Sequence, residues 1–270
     1  MKKILFALLI AVACTLQAQV KITILHTNDT HSCIEPEKNG NAGVLNRAML
    51  IEQIADSVGH ENLLLFDCGD FSQGSLYYYA LKGEVEVALM NAMGYNAGAL
   101  GNHEFDYGME NLARLAQTAK FPLLCANYDF TGTPCEGLRQ KNTIIERKGV
   151  KIGVFALSPN PDGLIQKDNY AGVKYLSPTE TANTQADELR KAGCNVVICL
   201  SHLGSKMSNN DCDDERLAAT TKGIDIILGG HSHTLYATPV TLTNADGKEV
   251  VMQQMNKNGR YLGHVTLTFE

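Results

Sequence analysis

Five times along this chain of 270 residues, a short apolar run stops and a cluster of polar, metal-competent side chains begins at once. Residues 20–26 run into Asn28-Asp29-Thr30-His31, residues 63–66 into Asp67-Cys68-Gly69-Asp70, and residues 97–100 into Gly101-Asn102-His103-Glu104-Phe105-Asp106. Residues 195–200 end in Ser201-His202, and residues 224–228 in Gly229-Gly230-His231-Ser232-His233. Short runs rich in Val, Ile and Leu, bounded by glycine and polar residues, read as buried strands. Helical periodicity fills residues 43–58, 75–82, 84–93, 109–119, 179–192 and 215–221. A further strand is expected over residues 122–126, and a hairpin over residues 142–157, turning at Lys148-Gly149, with late strands over 249–255 and 261–269, adds antiparallel pairs. The pattern predicts an α/β core with mixed sheets, and in open α/β folds ligands bind beyond the carboxyl ends of the strands. Five polar clusters at five strand ends are therefore expected to converge on one place.

Taken singly, each cluster is weak. Asp29-x-His31 is a common pairing, Gly69-Asp70 is a frequent turn, Asn102-His103 reads equally as a helix cap, and Ser201-His202 as the end of a strand. Gly230-His231-Ser232-His233 has a recurrent ligand spacing but also suits a plain loop. Jointly they are specific. Five of the eight histidines fall in these clusters, leaving His26, His60 and His264 as structural or surface imidazoles. Imidazole, carboxylate and amide oxygen without thiolate suit Mn, Fe, Zn or Mg. The donors suffice for two such ions about 3.5–4 Å apart that share a carboxylate.

Composition narrows the partners. The net charge of -6 gives no global attraction to nucleic acid or anionic membrane, so an anionic substrate needs a local positive centre. The lack of Trp and the 7% aromatic content exclude a broad stacking platform. Lys2-Lys3, an apolar run over 4–13 and Leu16-Gln17-Ala18 read as an export signal over residues 1–18, too short to span a bilayer comfortably. Lipoprotein processing at Cys14 is the alternative. The chain from 19 to 270 is expected to form one domain, periplasmic or secreted. Cys125 with Cys135, and Cys194 with Cys212, are the candidates to pair in an oxidising compartment; Cys68 and Cys199 read as buried thiols.

The ordered series Asp29-x-His31, Gly69-Asp70, Gly101-Asn102-His103-Glu104, His202 and Gly230-His231-x-His233 resembles the calcineurin-like metallophosphoesterases. Leu25-His26-Thr27-Asn28-Asp29-Thr30-His31 and Gly101 to Asp106 are similar to the catalytic domain of secreted 5′-nucleotidases and their UDP-sugar hydrolase and 2′,3′-cyclic phosphodiesterase relatives. The resemblance implies a metallophosphatase-type four-layer α/β/β/α sandwich with two mixed β-sheets. It implies one divalent ion on Asp29, His31, Asp70 and His233, and a second on Asp70, Asn102, His202 and His231, with Asp70 bridging. Many nucleotidases have Gln or Asn where this chain has His233. His103 and Asp106 match the catalytic dyad, the imidazole serving the phosphoryl group or leaving oxygen and the carboxylate orienting it. The implied activity is phosphomonoester hydrolysis, of a nucleotide, by metal-activated hydroxide.

The family's second domain, which grips the nucleoside, has no counterpart before Glu270. Three other readings therefore stand: half of a split 5′-nucleotidase needing a separate nucleotide-binding protein, a phosphodiesterase or UDP-sugar hydrolase, and a non-catalytic metal-binding scaffold. Glu104 receives no catalytic role, and Asn127 is either a site-lining or an ordinary turn residue.

Overall fold

The computed structural model describes residues 19–138, 140–207 and 212–269. The leader expected over 1–18 lies outside the described residues. In chain order come β1 (Val20–Thr27), α1 (Val44–Val58), β2 (Leu63–Asp67), α2 (Leu76–Leu81), α3 (Glu84–Met93), β3 (Ala97–Ala99), α4 (Gly108–Thr118) and β4 (Leu123–Leu124). There follow β5 (Tyr128–Asp129), β6 (Asn142–Arg147), β7 (Val150–Leu157), β8 (Lys174–Tyr175), α5 (Pro178–Lys191), β9 (Val196–Ser201) and α6 (Asp214–Thr220). Last are β10 (Ile226–Gly229), β11 (Val240–Thr243), β12 (Glu249–Gln254) and β13 (Gly263–Phe269).

Two mixed sheets result. The first has the order β13-β1-β2-β3-β4, parallel except for β13. The second has the order β11-β12-β10-β9-β7-β6, with a parallel centre and antiparallel β11 and β6 at its edges. Because side chains alternate across a strand, each sheet divides its apolar residues between two cores. Ile22 and Ile24 of β1, with Leu64 and Phe66 of β2, meet Ile152, Val154, Ile198, Leu200, Ile226 and Leu228 between the sheets. Leu25 and Leu65 face outward onto Ile51, Val87, Met90, Leu112 and Leu115 from α1, α3 and α4. On the far side, Phe155, Val197, Cys199 and Ile227 pack on Ala182, Ala186, Leu189, Leu217 and Ala218 from α5 and α6. These are the four layers, α/β/β/α.

Three sequence expectations need correction. The strand expected over 122–126 is only Leu123–Leu124, because the chain then leaves its sheet: Cys125 N bonds to Gln140 O, and Ala126 N to Ala156 O of β7. Edge strand β11, half-exposed with a short Val-Thr-Leu-Thr alternation, is additional to the expected strands. The candidate disulfides are not formed. Cys125 and Cys135 are thiols, donating to Asn127 Oδ1 (3.8 Å) and Met109 O (3.4 Å). Cys194 sits in the core under α5, while Cys212 lies 3.7 Å from Thr179 Oγ1.

His26, read from sequence as a structural or surface imidazole, is a tie between the sheets. Its ring is fully buried, and Nε2–H donates to Gln253 Oε1 of β12 at 3.1 Å. Burial depresses its pKa to about 4, with the Gln253 bond opposing that shift. Its strand partner across the ladder is Gly263, where an added Cβ would lie 2.0 Å from His26 Nε2. Gly263→Ala is therefore expected to cost about 2 kcal/mol by overpacking, lowering the melting temperature by roughly 4–8 °C. An unchanged calorimetric melt would show that the ring can move aside.

Candidate metal centre

All five polar clusters leave the carboxyl ends of parallel strands: β1, β2 and β3 of one sheet, β9 and β10 of the other. Backbone bonds lace the first two loops together, Asp29 N to Gly69 O (2.9 Å) and His31 N to Asp70 O (3.0 Å). The carboxylates complete the lacing. Asp29 accepts from His231 N (3.0 and 3.2 Å), joining the two sheets, and Asp70 Oδ1 accepts from His103 N (2.9 Å). Such crowding needs missing β-carbons. A Cβ on Gly69 would sit 2.6 Å from Gly101 N, and one on Gly101 would sit 2.2 Å from Asp70 Oδ1. Only Gly69 of these two also needs its positive φ of 91°.

The backbone here is strained where the chemistry is expected. Asp29, His31, Asp70, His231 and His233 all have positive φ, between 44° and 70°. Left-handed backbone is costly for residues with a Cβ and clusters at functional sites.

The side chains turn lone pairs toward one another. Ligand atoms of Asp29, His31 and His233 lie within 4.8 Å of each other, as do those of Asp70, His202 and His231, and those of His31, Asp70 and His103. His31 Nε2 is 3.1 Å from His233 Nε2, which is 3.3 Å from Asp29 Oδ1. His202 Nδ1–H donates to Cys68 O at 2.7 Å, which leaves the Nε2 lone pair facing Asp70 Oδ2 at 3.0 Å. That bond to a carbonyl is how a ligating imidazole is commonly oriented. Asn102 Oδ1 is buried without a hydrogen-bond partner, and buried polar atoms rarely stay so. Among the described residues no Lys or Arg pairs with Asp29 or Asp70. The donor set thus fits divalent cations, which would supply the missing partners.

Electrostatics agree. Burial opposes a charge on His202, but Asp70 and Asp29 push its pKa up to about 10, so a proton stands where a cation would. The imidazolium of His202 outweighs burial at Asp70 and holds that carboxyl well below its usual range. Burial lowers His31, and lowers His231 to about 4, keeping both neutral as ligands must be.

A family model described as calcineurin-like phosphoesterase matches residues 22–235. The chain belongs to that family. A snake venom 5′-nucleotidase from Naja atra is 32% identical over 93% of this chain and 50% of its own length. The 5′-nucleotidase precursor from Thermus thermophilus superposes with a TM-score of 0.82 at 31% identity, over 93% of this chain and 52% of that one. The calcineurin-like phosphoesterase YfkN from Bacillus subtilis gives 0.79 at 28%, covering 93% of this chain and 86% of that one. The chain spans about half the length of the curated relatives it matches.

In this member of the family the predicted dyad stands at the rim. His103, in a single turn over His103–Phe105, holds Nδ1 3.0 Å from Asp106 Oδ2 and 3.2 Å from Oδ1, and its ring meets His31 edge-on. Proximity alone does not separate His103 from the ligands, since it shares a group with His31 and Asp70. The engagement of Nδ1 by Asp106 does not either, since ligating imidazoles are oriented in the same way; it fixes the ring and leaves Nε2 available. Burial works against protonation of the ring, but Asp106 and Asp70 raise the His103 pKa to about 9. A cavity of about 550 Å³ opens beside the dyad, lined by His31, His103, His233, Gln73, Tyr77 and Lys257 among others.

Two residues that carry the site have no role in the sequence reading. Asn28 donates through Nδ2 to Asp29 Oδ2 and Asn256 O (both 2.6 Å), and accepts from Met255 N (2.9 Å), tying β1 to the end of β12. Glu104 gathers backbone amides. Asn127 is neither a lining nor a plain turn residue: fully buried, it pairs both ways with the backbone of Ser158.

Proposed function

We propose that residues 19–270 form the catalytic unit of a dinuclear-metal phosphoester hydrolase of 5′-nucleotidase type, acting on a phosphomonoester. The observation that carries this is the facing of imidazole and carboxylate lone pairs from both sheets, with a His-Asp pair at the rim. Asp29, His31, Asp70 and His233 would hold one ion, and Asp70, Asn102, His202 and His231 the other. Bound there, the pair neutralises charge on the phosphoryl group and brings the pKa of water toward neutrality. His103 keeps a proton on Nε2, aimed by the Nδ1–H bond to Asp106, and delivers it to the oxygen leaving phosphorus. Cys68 O fixes the His202 tautomer, and Asn28 fixes the Asp29 carboxylate.

The matched relatives are about twice as long, which favours a further reading: recognition of the nucleoside comes from chain outside these residues, on the same or another polypeptide. No helix among the described residues is long and apolar enough to cross a membrane; export directed by residues 1–18 belongs to the same proposal.

Chelator-stripped protein should be inactive, and Mn or Zn should restore phosphate release from an aryl phosphate. Silence with Mn, Zn, Fe and Mg alike would leave only the metal-binding scaffold. For specificity, the Michaelis constant for a nucleoside monophosphate is measured with and without the nucleotide-binding half of a relative. A constant that does not move excludes the divided-recognition reading.

A further inference from the structure

We propose that Glu104 is a positioning residue that sets the separation of the Asp70 and Asn102 loops by collecting three backbone amides from them onto one buried carboxylate. Its Oε2 accepts from Gly101 N (2.6 Å) and Asp70 N (3.0 Å), and its Oε1 from Ser72 N (3.1 Å). The side chain is 1% exposed. Regular pairing between β2 and β3 ends at Asp67 and Gly98. Beyond that point no backbone-to-backbone bond joins residues 68–72 to residues 100–104 among the described residues. The ladder stops just where the ligand loops begin, and the Glu104 carboxylate takes over its task.

The geometry leaves little slack. Gly101 approaches Asp70 so closely that a Cβ would lie 2.2 Å from Asp70 Oδ1. His103 N then reaches Asp70 Oδ1 at 2.9 Å. Glu104 thus fixes the main chain of Asp70 from behind while His103 N fixes its carboxylate in front. Reaching back three residues to an amide has the spacing of the acidic arm of a capping box, here placed one residue before the Asn102 cap of the turn and extended to a second loop. No Lys or Arg pairs with Glu104 among the described residues, and its hydrogen-bond partners are the three N–H groups. Buried amides deprived of that acceptor would open the loops to find water.

Which ions the loops hold rests on the metal-centre reading above; the three hydrogen bonds do not. The test therefore has a metal-free and a metal-loaded arm, both on the full chain, comparing wild type with Glu104→Gln and Glu104→Ala. In metal-free protein, amide exchange at Asp70, Ser72 and Gly101 should quicken in the Gln variant, which keeps one carbonyl oxygen, and more in the Ala variant. In the loaded arm, Co²⁺ titration followed by visible absorption should show affinity weakened roughly tenfold or more in Glu104→Ala. The absorption bands should shift, and Glu104→Gln should recover part of both effects. A purely structural residue would lower the metal-free melting temperature and leave Co²⁺ affinity and spectrum unmoved. If Glu104→Ala fails to fold, Glu104→Gln decides: wild-type exchange at the three amides, or a wild-type Co²⁺ titration, overturns the proposal. Wild-type protein that binds no Co²⁺ at all would instead refute the metal-centre reading and leave the exchange result to judge Glu104.

Discussion

Asp70→Ala is expected to empty both metal sites at once and bring phosphoesterase activity down to background. In the proposed assignment Asp70 is the one carboxylate shared by the two ions. It is buried, 3.0 Å from His202 Nε2, and supplies the acceptor for His103 N. Divalent ions contribute several kcal/mol of charge stabilisation to phosphoryl transfer, so losing both lowers turnover by about 10³-fold or more. Elemental analysis of the purified variant should find less than one ion per chain. Ligand binding to the native state raises stability by mass action, so the metal-dependent rise in melting temperature should vanish with the ions. Two ions retained at wild-type affinity would mean that Asp70 does not bridge.

His103→Ala should separate chemistry from ligation. Both ions should stay, because the proposed assignment gives His103 a proton to deliver and no ion to hold, and turnover should fall by roughly 10²–10⁴-fold, the usual worth of a positioned acid. Direction in pH follows from the shift. Burial disfavours the imidazolium, yet Asp106 and Asp70 raise its pKa to about 9, so the acid form is populated below that value and lost as pH rises through it. Cations bound beside Asp70 lower the midpoint by like-charge repulsion. The wild-type rate should therefore fall on the alkaline side, and the variant should lack that limb. The loss should be larger for an alkyl phosphate, whose leaving oxygen needs the proton, than for a nitrophenyl phosphate, whose leaving group does not. Loss of metal from the variant would refute the separation.

The sequence made the strand ends legible because two constraints coincide there. Buried parallel strands demand Val, Ile and Leu, and their ends are where polar groups converge, so the change at Leu100-Gly101 or Leu228-Gly229 stands out. The division of β1 between two cores was equally readable from the alternation around Ile22, Ile24 and Leu25. Less legible were groups whose partners are main-chain atoms. Glu104 and Asn28 each act on backbone N–H or C=O groups brought from far along the chain, and side-chain type alone does not reveal such partners. The absent disulfides have a similar cause: composition favoured pairing, but Cys194 is enclosed in the core beneath α5, while Cys212 packs at the margin of that core beside Thr179. The short β4 was hidden because Cys125 and Ala126 are as apolar as the strand they leave.

The placement of β13 bears on how the fold is reached. It pairs with β1 from Val20↔Phe269 to His26↔Gly263, so the first of the described strands waits for the last of them. Contacts between such distant segments carry a large loop-closure cost and slow folding. Until residues 263–269 are available, β1 presents an open row of amides and carbonyls to whatever strand is nearby. During synthesis the ligand loops after β1 and β2 can form long before the edge beside them is sealed. The docking of β13 is therefore the step that seals this edge of β1, and the interval before it is when β1 most needs protection from other strands.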